Sequence, residues 1–203
     1  MINSLAILDI GDVLIGTRPM RQYRALAERS GLEWRQVATL LEESGVITEF
    51  ELGEMRSTAF TRKVRHLVGG NGLSHNDVVE AWRSVIGSPV TEMIDAVRPL
   101  ARERRLLLAS NTNPIHWHYI RGLLAEAGIV APRILSYEVG HAKPDPEFFA
   151  AVLRADERAG RISVFVDDRL ENITAAAAQG LPGWVHRTPR ESSDLLDALR
   201  TFG

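Results

Sequence analysis

The chain has 203 residues, and its 24 Lys and Arg stand against 26 Asp and Glu for a net charge of −2 at neutral pH. A composition of 45% hydrophobic and 25% charged residues is that of an ordinary globular protein, which excludes collagen-like, low-complexity and disulfide-stapled classes. The absence of Cys excludes thiol nucleophiles, thiolate metal sites and disulfides, and the balanced charge gives no strong field for nucleic acid or an anionic membrane.

In chain order, Leu5–Leu8 is the first short apolar run, of the kind that suits a strand buried on both faces of a parallel sheet. The residues before it lack the basic region and length of a secretory leader, and no window approaches the ~18 apolar residues of a spanning helix, so a cytoplasmic protein without membrane contact is expected. From about Arg18 to Glu103 the pattern is helical, without convincing strands. Helices are predicted over Met20–Ser30, Glu33–Ser44, Thr58–Val68 and Asn76–Ile86, with Ser57 and Ser74 as N-caps. Four helices inserted after one strand make a small helical subdomain. Gly69-Gly70-Asn71-Gly72 reads as a helix connector, because it follows a helix and lacks the spacing and Lys of a phosphate loop.

Beyond Leu106 strands and helices alternate. Strands are predicted at Leu106–Ala109, Arg133–Ser136, Ile162–Val166 and Gly183–His186, with helices at Pro114–Ala127, Pro146–Arg154 and Glu171–Gln179. The fold class is therefore α/β, a Rossmann-like doubly wound parallel sheet carrying an inserted helical cap. The boundaries expected are 1–16 and 95–203 for the core and 17–94 for the cap.

In such sheets ligands bind beyond the carboxyl ends of the strands. Those ends read Asp9-Ile10-Gly11-Asp12, Ser110-Asn111-Thr112-Asn113 and Asp167-Asp168. Carboxylates gathered at one edge repel one another unless a cation lies between them, and oxygen-only ligands suit Mg²⁺ with a phosphate-bearing ligand. The loop Gly140-His141-Ala142-Lys143-Pro144-Asp145-Pro146 adds a Lys in a stiff turn, suited as a point charge for a phosphoryl group.

These four segments, in this order, resemble the four motifs of the haloacid dehalogenase-like hydrolase superfamily, and the helical insertion after the first resembles the C1 cap of its subfamily I. Asp-x-Gly-Asp, Ser-Asn-Thr-Asn and the cap stretch Phe50-Glu51-Leu52-Gly53-Glu54-Met55 are similar to the branch holding α-glucose-1-phosphate phosphatases. The resemblance implies hydrolysis of a small phosphorylated metabolite such as a sugar phosphate. Asp9 would attack phosphorus to give an aspartyl-phosphate, which water then hydrolyses. Mg²⁺ would be held by Asp9, the Gly11 carbonyl and Asp168, with Asp167 as an alternative or outer ligand, and Asn172 could orient the metal's waters. Ser110 and the amides beyond it, with Asn111, would bind phosphoryl oxygens, and Lys143 would offset charge in the transition state.

One departure stands out. The position two residues after the nucleophile, usually an Asp acting as general acid and base, is Gly11 here. Either Asp12 is recruited in its place, or it is a turn residue and the enzyme favours good leaving groups. Two other readings stay open: a metal-independent dehalogenase, which the Asp167-Asp168 pair argues against, and a catalytically weak protein that binds a phosphorylated ligand or partner. Cap residues expected to face substrate are Arg18, Tyr23, Glu49 and Phe50, with Trp117 from the core. A monomer or a homodimer is equally compatible with the pattern.

Overall fold

The structure, a computed structural model, describes residues 4–69, 72–155 and 162–201. Gly70 and Asn71 of the expected connector lie outside the described residues. The chain runs β1 (Ser4–Leu8), β2 (Ile15–Thr17), α1 (Arg21–Ser30), α2 (Trp34–Glu43), α3 (Val46–Glu51), α4 (Ser57–Leu67), α5 (His75–Arg83), β3 (Ile86–Pro89) and α6 (Thr91–Arg102). It continues through β4 (Leu106–Ser110), α7 (Pro114–Glu126), β5 (Arg133–Leu135), α8 (Ser136–Val139), α9 (Pro146–Ala155), β6 (Ile162–Asp167), α10 (Leu170–Ala178), β7 (Gly183–Val185) and α11 (Pro189–Thr201).

Five parallel strands form the main sheet in the order β5-β4-β1-β6-β7. Alternation along β1 supplies both layers. Ala6 and Leu8 pack with Met93, Val97 and Leu100 of α6 and with Leu196 of α11, whereas Leu5 and Ile7 pack with Phe148, Phe149 and Val152 of α9. Both faces of the strand are thus buried, as its unbroken apolar run requires. Leu8 is fully buried, so truncating it to Ala costs about 2–5 kcal/mol.

The cap has a separate core of Tyr23, Leu26, Leu41, Phe50, Phe60, Val64 and Trp82, to which Ile115 of α7 contributes. Phe50 stacks on Phe60 at 4.1 Å between ring centroids, and Trp82 meets Phe60 edge-on at 4.8 Å. Ser74 caps α5 in a reciprocal box with Asp77, as expected, but Arg56 rather than Ser57 precedes α4.

A short antiparallel ladder of β2 and β3 joins cap to core. It corrects the expectation that the inserted stretch holds no strand. The two strands meet at glycines: a Cβ on Gly87 would lie 2.3 Å from the Gly16 carbonyl oxygen, so only Gly permits the approach. Five helices, not four, fill the insertion, because the six-residue α3 adds itself after Gly45. Packing ends the cap before β3, since Met93 and Ile94, placed with the cap by the sequence boundary, belong to the α/β core.

Candidate active site

The site lies at the carboxyl edge of the three inner strands β4, β1 and β6, where the chain leaves each strand with a polar residue. Asp9 continues β1 and its N–H donates to the Val166 carbonyl at 2.9 Å. Ser110 closes β4 and Asp167 closes β6, and both are buried. Lys143 enters from the loop after α8, follows that helix's Gly140 cap, and is 5% exposed.

A buried ammonium is tolerable only when its donors are satisfied. Lys143 Nζ donates to Asp167 Oδ2 at 2.7 Å and to the Ala109 carbonyl at 3.0 Å. It stands 2.9 Å from Asp9 Oδ1 as an ion pair, and that buried oxygen has no full hydrogen bond of its own. The Lys143 backbone is clamped from both sides by Asn111, whose Nδ2 donates to the Lys143 carbonyl at 2.8 Å and whose Oδ1 accepts the Lys143 N–H at 2.7 Å. The Asn111 side chain is thus engaged in positioning Lys143, and the phosphate contact expected of this segment, through the backbone amides after Ser110, does not involve it. Ser110 Oγ makes only a 3.5 Å contact to the next carbonyl and stays available.

The loop after β4 is held in the same manner. Ser136 Oγ accepts the Thr112 N–H and donates to the Thr112 carbonyl, both at 2.9 Å. Asn113 then caps α7 by accepting the His116 N–H, with Pro114 at the first helical position where its missing donor is harmless.

Carboxylate oxygens of Asp9, Asp167 and Asp168 come within 4.8 Å of one another. Burial raises the Asp9 pKa above its usual value; Lys143 opposes that shift and Asp167 adds to it. Asp168 is pushed up to about 6 by desolvation and by the charges of Asp9 and Asp167. Three carboxylates at one edge, only two of them paired with an ammonium and one buried oxygen unclaimed, are an all-oxygen arrangement that fits a hard divalent cation. The two acidic neighbours on β6 divide their tasks. Asp167 has both oxygens engaged, by Lys143, by Asn172 Nδ2 at 2.9 and 3.0 Å, and by the Arg169 N–H at 2.9 Å. Asp168 carries no such bonds and turns outward. Asn172 therefore fixes Asp167 through its Nδ2, while its buried Oδ1 has no partner.

Asp12 sits at φ 53°, a left-handed position that Asp accepts more readily than most residues. Both its oxygens are taken by Thr17, from the N–H and from Oγ1, each at 2.6 Å. The side chain thus ties the catalytic loop to β2, which sets the turn role above recruitment as a proton donor, the two alternatives expected for it. A Cβ at Gly11 would lie 3.5 Å from Thr17 Cγ2, so the same threonine stands beside the position where an acid is missing.

The cap candidates scatter. Phe50 is fully buried in the cap core, which removes it as a substrate contact. Glu49 pairs with Lys63 at 2.5 Å on the cap surface. Trp117 packs on the α/β core with Arg133 over its ring at 5.0 Å. Arg18 is exposed, and lines a surface cavity of about 620 Å³ with Arg21, Arg24 and Ser84 that none of the catalytic candidates borders. Tyr23 is buried in the cap core, and its hydroxyl donates to Glu42 at 3.2 Å. His116, which the sequence left unassigned, crosses to the cap: Nε2 meets the Trp82 carbonyl at 3.0 Å and Nδ1 meets Asn113 Nδ2 at 3.0 Å. Desolvation lowers its pKa to about 4.

A parallel α/β core that gathers Asp, Lys and an Asp pair at one sheet edge beneath a helical cap defines a class of hydrolases acting through a carboxylate. The model of the haloacid dehalogenase-like hydrolase family matches residues 5–180, and the chain belongs to that family. It is 26% identical over 137 residues to a D-ribitol-5-phosphate phosphatase of Bacteroides thetaiotaomicron, a match spanning 64% of this chain and 66% of that relative, just under two thirds of its length. It is 26% identical over 182 residues to the sesquiterpene phosphatase astK of Aspergillus oryzae, covering 88% of this chain and 87% of that relative. A solved HAD family enzyme of Bacteroides thetaiotaomicron, bt-2542, in complex with magnesium and inorganic phosphate, superposes with a TM-score of 0.73 at 26% identity, over 90% of this chain and 93% of that one.

Proposed function

We propose that the protein is a Mg²⁺-dependent phosphatase of small phosphorylated metabolites, working through an aspartyl-phosphate on Asp9. The observation that carries this reading is the pairing of a buried, donor-free Asp9 oxygen with Lys143 and the outward-facing Asp168 at one strand edge. Asp9 and Asp168, with the Gly11 carbonyl, would hold the cation, which when bound draws negative charge from the phosphoryl oxygens. Asp9 attacks phosphorus in line with the departing alkoxide; the P–O bond to the alcohol breaks as the Asp9–phosphorus bond forms. Water then releases phosphate and restores the carboxylate. Ser110 Oγ, free at the end of β4, donates to a phosphoryl oxygen, and Lys143 offsets charge on the transferring group. Asp167, saturated by Lys143 and Asn172, keeps that Lys in place.

The phosphatases among the relatives and the magnesium and phosphate complex of the solved neighbour support the same reading over that of a dehalogenase. A cytoplasmic setting and action as a monomer or homodimer complete the proposal; no described helix is long and apolar enough to cross a membrane. The test is phosphate release from 4-nitrophenyl phosphate and a panel of sugar and polyol phosphates, with Mg²⁺ or chelator. Turnover that needs Mg²⁺ and disappears in Asp9→Asn is expected; turnover that survives the substitution would exclude Asp9 as nucleophile.

A further inference from the structure

Where the chain passes from β2 into the cap it makes a tight turn over Arg18, Pro19, Met20 and Arg21. The Arg18 N–H donates to the Val85 carbonyl at 2.7 Å, which fastens this corner to the junction of α5 and β3, and the Arg21 N–H donates back to the Arg18 carbonyl at 3.3 Å. Pro19 presets the first central position of the turn. Met20 takes φ 67° and ψ −5° at the second, the left-handed geometry of a type II turn. That position ordinarily belongs to Gly, so a Met there is strained, and its side chain is left 41% exposed. Arg21 and Arg24 follow one helical turn apart on the same face of α1.

The cavity of about 620 Å³ at this corner is walled by Arg18, Arg21 and Arg24, with Pro19, Met20 and Ala25 as its apolar part. Guanidinium groups gathered in one concavity repel one another unless an anion lies among them. Among the described residues none of these three forms an ion pair, whereas Arg29, Arg83, Arg98 and Arg133 each do. Glu28 stands on the same wall, one turn beyond Arg24, and makes no pair with it. Three guanidinium groups and one carboxylate leave the wall with two positive charges in excess.

We propose that this cavity is a second ligand site, separate from the catalytic edge, which binds a small organic phosphate by its phosphoryl dianion. The excess charge matches that dianion, and the planar forks of arginine suit phosphoryl oxygens taken in pairs. The Pro19, Met20 and Ala25 surface receives the carbon part of the ligand. A nucleic acid strand would need a continuous basic track, but the next groove along α1 carries Glu28 and Glu33 beside Arg24. An occupant would join Arg18, at the exit of β2, to Arg21 and Arg24 on α1, and so brace the passage from core to cap. None of Asp9, Ser110, Lys143 or Asp168 borders the cavity, so the site stands whether or not Asp9 is a nucleophile.

The experiment is calorimetric titration of the full chain with inorganic phosphate and with phenyl phosphate, in chelator, comparing the wild type with the double variant Arg18→Gln, Arg21→Gln. Chelator prevents turnover and leaves the carboxylates of Asp9, Asp167 and Asp168 to repel an anion from the catalytic edge. The wild type is expected to bind both probes saturably, phenyl phosphate the tighter, and the double variant to weaken both by about tenfold or more. Equal affinity in the two proteins, or a wild type that binds phosphate only once Mg²⁺ is restored, overturns the site. Failure of the phosphatase reading would appear elsewhere, as Mg²⁺-supported turnover that survives Asp9→Asn.

Discussion

Lys143 is placed by its neighbours more than by its own loop. Two acceptors and the Asp9 carboxylate surround Nζ, yet the register of the backbone that carries it depends on the two hydrogen bonds it shares with Asn111. Asn111→Ala removes both and leaves two polar backbone groups without partners, which costs about 1–3 kcal/mol. The ammonium then loses its alignment with Asp9, and misplacement of a catalytic group by about an ångström can cost on the order of 10²-fold in rate. We expect kcat to fall at least about tenfold while KM changes little; denaturant unfolding and steady-state kinetics check the two effects separately. A stability loss with kcat unchanged would show that Asn111 braces the loop without setting the Lys.

At the scale of elements, α7 is the bridge between core and cap. Its N-terminal cap Asn113 belongs to the catalytic edge, and His116 one turn on reaches the Trp82 carbonyl at the end of α5. The ring stacks 6.1 Å from Trp82, between centroids, and is neutral in the folded protein near pH 7. Folding lowers its pKa from an ordinary 6.5 to about 4, so as pH falls the unfolded chain takes the proton first. The stability tied to the neutral ring is complete above about pH 6.5 and is lost progressively towards pH 4, about 3 kcal/mol over that window. Raised carboxyls such as Asp168 act in the opposite sense, so the comparison is with His116→Gln. The stability difference between the two proteins, measured by urea unfolding at several pH values, should shift by that amount between pH 6.5 and 4 and stay level above; a difference that is flat throughout would refute a neutral, buried His116.

For the whole molecule, three carboxylates at one edge predict that a bound cation stabilises the fold. Saturation with Mg²⁺ at about a hundred times its Kd adds about 2.7 kcal/mol, which for a chain of this size raises Tm by roughly 5–10 °C. Asp168→Asn should abolish that rise and, in chelator, melt at or above the wild type, since it removes one repelling charge. Differential scanning calorimetry decides it; an equal Mg²⁺ response in both proteins would exclude Asp168 as a ligand. Much of this arrangement was legible in the sequence, because buried parallel strands leave unbroken apolar runs and the polar residue after each run falls at the edge where ligands bind. What was not legible depends on partners distant in sequence. The β2–β3 ladder pairs Ile15–Thr17 with Ile86–Pro89, elements too short and too rich in Gly and Pro to show a period. Pro99 inside α6 hid that helix. Asp167 and Asp168 are adjacent and chemically alike, and only Lys143 and Asn172 tell them apart.

The position of β1 in the sheet bears on how the chain is assembled during synthesis. It lies at the centre, and its partners are β4 and β6, about a hundred and about a hundred and fifty residues further along. The cap helices, by contrast, pack against near neighbours in sequence and can close early, because local contacts form fastest. A nascent chain therefore carries a folded cap while the strand bearing its nucleophile is still unpaired, and the catalytic edge comes into being only when β6 leaves the ribosome. Arg105 then ties β1 to α11, donating to the Ser4 carbonyl at 3.1 Å and to the Leu199 carbonyl at 2.6 Å.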